Sequence, residues 1–383
     1  MRYSVDAHAI GQHLTGNEVY VRNLLRGFAA LNTSSEFIAY LSRGIPDPSA
    51  DVPAHFQRRY VSSNSFVRLG LDLSRRIRQD RPDLLHVQYT APLACPVPVI
   101  VSVHDISFLE HPEYFPRLRA MQLRLTVKRT IANAVRVLTP SEFSRNAILR
   151  AYGAAPERVE VVPIAVSPLF RPLPRATAQS RIAQRFSLSE PFILTVGDLQ
   201  PRKNHKGLID AFSALVREYP QLPHRLVIVG KDTWFSGEVR AAAKASCAAD
   251  RIVFTGWASD DDLLQFYNAC DVMVFPSFYE GFGLPILEAM ACGRAVACSH
   301  TSAMPEVADS AGLQFDPLSS AEMVRAMRDV LLDGDLRARL ERLGHARASL
   351  FTWERTAQRT LEIYEEVAGQ RSPKPQSIPA AHS

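Results

Sequence analysis

Along the first half of the chain, short apolar runs alternate with stretches whose apolar residues recur at helical spacing. Residues 3–6 are short and apolar enough for a first strand. Within 20–31, Val21, Leu24, Leu25 and Phe28 fall on one helix face. Residues 84–87 and 97–103 read as buried strands, the second too continuous for a sheet with one wet face. A helix over 121–134 and strands over 134–138 and 159–162 complete this series. Strands alternating with helices predict a parallel sheet with right-handed crossovers.

Pro168, Pro172, Pro174 and Pro191 then interrupt the pattern, and the apolar run 192–197 opens a second series, continued at 226–230, 252–256, 272–275 and 295–298. The expected fold is α/β, with two Rossmann-like, doubly wound domains over 1–170 and 191–352 and a linker at 171–190. A helix follows over 353–368, and the Pro- and Ser-bearing stretch 369–383 reads as a disordered tail. Two such sheets facing each other leave a cleft, and open α/β sheets bind ligands outside the carboxyl ends of their strands.

Composition narrows the class. A length of 383 residues suits two ordinary domains, and 46% hydrophobic with 22% charged residues is the balance of a soluble globular protein. No apolar run nears the roughly 18–20 residues that span a bilayer, and the N-terminus lacks a signal-peptide core, so the expected location is cytoplasmic. Five cysteines without Cys-x-x-Cys spacing argue against a disulfide frame or a zinc site. The net charge of +5 is unevenly shared: residues 1–180 hold 22 Lys/Arg against 14 Asp/Glu, a balance of +8, and the remainder holds 22 against 25, a balance of −3. A basic first half points to an anionic partner, such as a phospholipid surface or a lipid-linked phosphate; scattered surface arginines are the plain alternative. No basic stretch is interleaved with aromatics, so nucleic acid is not expected as a partner.

The densest chemical signal lies at 272–288: a buried strand, a turn bearing Gly281 and Gly283, and a helix that opens at Pro285. Proline suits a first helical turn because its missing N–H costs nothing there. The amides of Phe282, Gly283 and Leu284 would then sit at a positive helix end, a seat for phosphate. Glu280 stands before this anion site and Glu288 one turn inside the helix, so the two carboxylates reach different parts of one extended ligand. A diphosphate with hydroxyl-rich groups at both ends fits that pattern. A glycine-bearing strand-to-helix turn with an acid serving the helix dipole is the plain alternative.

Glu280 and Glu288, with seven residues between them in Glu-Gly-Phe-Gly-Leu-Pro-Ile-Leu-Glu, resemble the E-x7-E signature of the family-four retaining glycosyltransferases of GT-B architecture. The likeness continues through residues 289–297 to Pro305-Glu306-Val307. The resemblance implies an enzyme that moves a hexose from a nucleotide diphosphate sugar to an acceptor hydroxyl with retention at the anomeric carbon. Glu280 would orient sugar hydroxyls, Glu288 would hold the ribose, and the amides from Phe282 to Leu284 would bind phosphate or sugar. The first domain would be the acceptor side, and the helix over 353–368 resembles a terminal helix that crosses back to it.

Gly197-Asp198-Leu199-Gln200-Pro201-Arg202-Lys203-Asn204 follows the first strand of the second domain. Two adjacent cations there can neutralise a departing diphosphate, Arg as a bidentate fork and Lys as a compact charge. Solvated surface is the plain reading; resemblance to the family's Pro-Arg-Lys-Asn element favours the site. Many relatives carry arginine where this chain has Asp198, which leaves Arg202 and Lys203 the whole charge task. His104-Asp105 ends a buried strand and points into a cleft, unless it is a structural histidine with a helix-capping aspartate. The run 103–116 resembles bacterial mannosyltransferases of the family, which would place His104 beside the transferred sugar. The bare residues around Gly16 fit a plain connecting loop as well as a ligand loop; resemblance to the family places Gly16 in a glycine loop that closes over the donor. Trp257 ends another strand, either at the nucleotide base or in the core.

Three further segments have plainer expectations. Asp260-Asp261-Asp262 starts a helix rather than holding a metal, and no cofactor or required metal is expected, since Arg202, Lys203 and a helix end supply the positive charge. Ser141-Glu142-Phe143-Ser144 reads as a structural helix start. Arg117, Leu118, Arg119, Met121, Arg124, Leu125, Lys128 and Arg129 form a basic amphipathic helix that could touch an anionic membrane; an ordinary surface helix is the alternative. The expected donor is GDP-mannose and the acceptor a lipid-linked or polysaccharide intermediate of a cell-surface glycan. A UDP-sugar such as UDP-glucose, a GT-B sugar-nucleotide epimerase and a catalytically silent sugar-nucleotide-binding protein stay open.

Overall fold

The computed structural model describes residues 1–12, 15–44 and 51–369. The anticipated tail, apart from Gly369, lies outside the described residues. Among these residues the first sheet has seven parallel strands: β1 (Arg2–Asp6), β2 (Glu36–Ser42), β3 (Gln57–Val61), β4 (Leu84–Gln88), β5 (Val99–Ser102), β6 (Arg136–Thr139) and β7 (Val159–Val161). Their order is β3-β2-β1-β4-β5-β6-β7. The second sheet has six: β8 (Phe192–Val196), β9 (Arg225–Val229), β10 (Ile252–Gly256), β11 (Val272–Phe275), β12 (Val296–Ser299) and β13 (Leu313–Phe315), in the order β10-β9-β8-β11-β12-β13. Every pairing is parallel, with Tyr3 opposite Leu84 across β1 and β4 and Ile193 opposite Val272 across β8 and β11.

Each sheet is apolar on both faces because helices cover both, as parallel sheets require. Strands β2, β3 and β13 were not anticipated. β3 carries two arginines in Gln-Arg-Arg-Tyr-Val and sits at a sheet edge, where a polar strand is tolerated; β13 is a three-residue edge strand. β2 is an apolar run, Glu-Phe-Ile-Ala-Tyr-Leu-Ser, buried at all but its first residue.

The segment read as a linker holds the helix Arg175–Phe186, whose Ala178 and Ile182 are buried in the second domain's core. The helix expected over 121–134 begins at Arg117, directly after Pro116, and runs to Asn133. Helix Trp353–Gly369 leaves the second domain and inserts Trp353, Ala357, Leu361 and Tyr364 into the first domain's core. Tyr364 Oη lies 2.5 Å from His86 Nδ1 on β4, so the crossing helix also ends in a buried polar contact.

Candidate active site

Strand order reverses between β1 and β4 in one sheet and between β8 and β11 in the other. Such switch points open a crevice at the strands' carboxyl ends. The segments after these strands face one cleft of about 520 Å³, lined by every site residue expected from the sequence: Gly16, His104, Arg202, Lys203, Trp257, Glu280, Phe282, Gly283, Leu284 and Glu288.

The second domain supplies the charge. Arg202 and Lys203 form the short turn Pro201–Lys203 after β8, closed by Asn204, which takes φ +53° and caps helix His205–Glu218 by accepting from the Gly207 amide. From β11 the chain brings Glu280 against both cations: its Oε1 lies 2.7 Å from Arg202 Nη1 and 2.7 Å from Lys203 Nζ. By sequence the acid is expected at the sugar and the cations at the diphosphate. In the structure one carboxylate oxygen joins all three. Burial alone would raise the Glu280 carboxyl, yet Arg202 and Lys203 hold it at about 2. Lys203 Nζ also stands 4.7 Å from the Phe275 ring centroid, and Arg202 donates to the Tyr279 carbonyl at 3.1 Å. Two fixed cations sharing one internal acid are ready to accept a second, incoming anion.

Beyond Glu280 the turn reaches helix Leu284–Ala291, whose N-cap Gly283 adopts φ +101°, a region that disfavours any side chain. The amides of Phe282, Gly283 and Leu284 stand at its open, positive end. One turn in, Glu288 accepts from Tyr267 Oη at 2.7 Å. Tyr267 was missed from the sequence; a tyrosine on a helix that otherwise packs inward needs a partner for its hydroxyl, and that was the available signal. Burial raises the Glu288 carboxyl to about 7, with the Tyr267 hydrogen bond opposing. A carboxyl raised in the folded state adds stability below its ordinary value near 4.5 and loses it as pH climbs to about 7. Glu288→Gln should therefore unfold at a higher temperature than the parent chain at pH 8 and show no such advantage at pH 4.5. The difference, on the order of 2–3 kcal/mol at the high-pH end, is read from thermal melts across that range.

The first domain supplies neutral polar groups. His104 follows β5; its Nε2 lies 3.0 Å from Gln88 Oε1, and the Gln88 amide nitrogen donates to the Asn17 carbonyl. That network fixes Nε2 as the protonated nitrogen and leaves Nδ1 as an acceptor. Burial lowers the imidazole pKa to about 4, with Asp105 opposing, so His104 is neutral at pH 7. Tyr20 packs edge-on to it at 4.5 Å. Asp105 accepts from the Ser107 amide and hydroxyl just ahead of the next helix, and it lines the cleft together with His104. Tyr89, also unanticipated, lines the cleft with φ +59°, a strained backbone of the kind found at functional sites. Gly16 lies in the first turn of helix Thr15–Ala30 rather than in the preceding loop, and a Cβ there would meet nothing. Trp257 is exposed at the cleft wall, which removes its core reading.

The sequence families agree with this architecture. The chain matches Glycosyltransferase Family 4 over residues 14–168 and Glycosyl transferases group 1 over residues 177–347. It is 32% identical to O-antigen chain mannosyltransferase B of Escherichia coli over 268 residues, 70% of each chain. It is 30% identical to the serotype-specific mannosyltransferase WbdA of the same species over 264 residues, 68% of this chain but only 32% of that longer protein. The fold is that of Anabaena HepE, solved with UDP and glucose, at a TM-score of 0.76 and 21% identity over 96% of this chain and all of that one. Two parallel-sheet lobes, a cleft at both switch points and these matches together make the chain a member of the family-four glycosyltransferases, a hexosyltransferase of GT-B architecture.

Proposed function

We propose that the enzyme transfers mannose from GDP-mannose to a hydroxyl of a lipid-linked or polysaccharide intermediate in cell-surface glycan assembly, with retention at the anomeric carbon. The observation that carries this reading is the Arg202–Lys203–Glu280 cluster, set opposite neutral His104 in one cleft. The similarity to two Escherichia coli mannosyltransferases favours mannose. Arg202, Lys203 and the amides from Phe282 to Leu284 would take the diphosphate, Glu288 the ribose hydroxyls, and Glu280 with His104 Nδ1 the sugar hydroxyls. The bond from the anomeric carbon to the β-phosphate oxygen breaks, the acceptor oxygen bonds to that carbon on the same face, and the acceptor proton passes to the departing phosphate. The two cations stabilise the charge that grows on the leaving group, so this route asks for no metal.

The test is a transfer assay with GDP-mannose, GDP-glucose, UDP-glucose and UDP-mannose, the product linkage read by NMR. Turnover with GDP-mannose to an α-mannoside supports the reading. Turnover with UDP-sugars alone would overturn the donor, an inverted linkage the stereochemistry, and acceptor-free epimerisation the reaction class.

A lipid-linked acceptor also fits the first domain's surface. Helix Arg117–Asn133 exposes Leu118, Met121 and Leu125 in one stripe, carries five Arg or Lys and has no acid. Its Arg129 donates to the Leu93 carbonyl, and the Leu93 amide donates to Leu69 O, in neighbouring segments that also expose Phe66, Leu71 and Leu93. An apolar stripe on a helix that carries cations and no acid matches an anionic lipid surface. Flotation with phosphatidylglycerol vesicles but not with phosphatidylcholine vesicles, reduced by Leu118→Glu with Leu125→Glu, is expected; equal behaviour with both lipids would remove the membrane from the account. Among the described residues no helix is long and apolar enough to cross a membrane.

A further inference from the structure

Ser141-Glu142-Phe143-Ser144, a plain helix start by sequence, also grips the other domain. Ser141 caps helix Glu142–Tyr152 by accepting from the Ser144 amide at 3.1 Å. Its hydroxyl then donates across the interface to the Gly281 carbonyl at 2.7 Å. Ser144 Oγ lies 3.2 Å from that same carbonyl and 3.1 Å from the carbonyl of His104. Both serines are buried. The residue they hold is the neighbour of Glu280, and the loop they hold it against is the one that carries His104.

A second grip comes from the opposite direction. The first-turn amides of this helix find their acceptor in the second domain: Glu142 N donates to Glu306 Oε2 at 2.8 Å and Phe143 N to Glu306 Oε1 at 2.6 Å. A carboxylate at a helix N-terminus satisfies orphan donors and meets the positive end of the dipole. The chain bearing Glu306 is itself fixed, because Arg347 donates to the carbonyls of Glu306 and Val307 at 2.6 and 3.1 Å. Glu306 is exposed at its site. Water can therefore replace its partners when the domains part, which suits a contact that is made and broken.

We propose that Glu306 and Ser141 form a clasp between the domains that seats the Glu280–Gly281 turn against the His104 loop and so completes the transfer site. This rests on the transferase reading above for what the completed site does, but not for the clasp itself. Neither residue lines the cleft. Ser141 acts through Gly281 and Glu306 through the helix that Ser141 caps, so both are positioning residues. Without the clasp the domains close less fully around the donor, and water reaches the activated sugar.

The full chain with Glu306→Ala, Glu306→Gln and Ser141→Ala tests this by small-angle scattering at saturating GDP and by the ratio of transfer to donor hydrolysis. Glu306→Ala and Ser141→Ala should show a larger radius of gyration than the parent and lower transfer by roughly 10-fold or more, since small misplacements at a reacting centre weigh heavily. Hydrolysis should take a larger share of the donor, and GDP affinity should stay near the parent value because the second domain's own groups are intact. Glu306→Gln keeps one acceptor oxygen and should fall between. A parent-like radius and transfer-to-hydrolysis ratio in Glu306→Ala would overturn the clasp, and so would equal loss of GDP binding in Glu306→Ala and Glu306→Gln, which marks a fold defect. If the parent chain transfers no sugar at all, the scattering comparison still decides the clasp alone.

Discussion

Lys203→Ala is expected to lower turnover by roughly 10²–10³-fold, the loss seen when one preorganised group facing developing charge is removed. The ammonium is buried, lies 2.7 Å from Glu280 Oε1 and stands at the carboxyl end of β8, where a departing diphosphate would gather charge. Arg202 keeps its own 2.7 Å contact with Glu280, so the carboxylate is not left alone and the fold should persist. Nucleotide affinity should fall far less than turnover, because the amides from Phe282 to Leu284 and the Glu288 carboxylate remain. Steady-state kinetics with GDP-mannose, beside calorimetric binding of GDP, separates the two quantities. Equal losses in both would assign Lys203 to binding alone, and unchanged turnover would remove it from the chemistry.

The second large effect is steric. A Cβ added at Gly281 would lie 1.9 Å from the His104 carbonyl oxygen and 2.9 Å from Asp105 Cβ. The obstacle is backbone and cannot rotate away. Gly281→Ala must therefore part the two domains or displace the turn, in either case breaking the 2.7 Å contact from Ser141. A displacement near 1 Å at a reacting centre can cost about 10²-fold in rate, and a loss of at least that size is expected. The second domain's nucleotide groups are not otherwise touched, so GDP should still raise the melting temperature of the variant. Parent-like transfer by Gly281→Ala would mean that the two domains do not work with Gly281 held against the His104 carbonyl.

Much of the site was legible because its signals are local. Pro285 after Gly283 announces a helix start, and the residues that follow the ends of parallel strands must share one side of the sheet. All the expected cleft residues lie within a few positions of such strand ends or helix starts. What escaped depends on contacts between distant segments. No spacing in the sequence shows that Glu280 would touch Arg202 and Lys203, since that pairing requires β8 and β11 to be neighbours. Tyr267 reaches Glu288 from another helix, and Glu306 finds the amides of residues 142 and 143 across the domain boundary. The helix Arg175–Phe186 was hidden by the prolines around it, which mark where elements end and do not count the elements between. The strand β3 was hidden by its charge: edge position and tertiary cover let Gln-Arg-Arg-Tyr-Val pair where polarity alone suggests a loop.

The central claim is that the crevice at the two switch points seats a nucleotide diphosphate sugar. A crystal structure of the chain with GDP-mannose tests it most directly. The account predicts the diphosphate within hydrogen-bond reach of Arg202, Lys203 and the amides from Phe282 to Leu284, the ribose on Glu288, and the mannose between Glu280 and His104. Nucleotide density elsewhere on the molecule, or a ribose remote from Glu288 in a complex that still turns over, would contradict it.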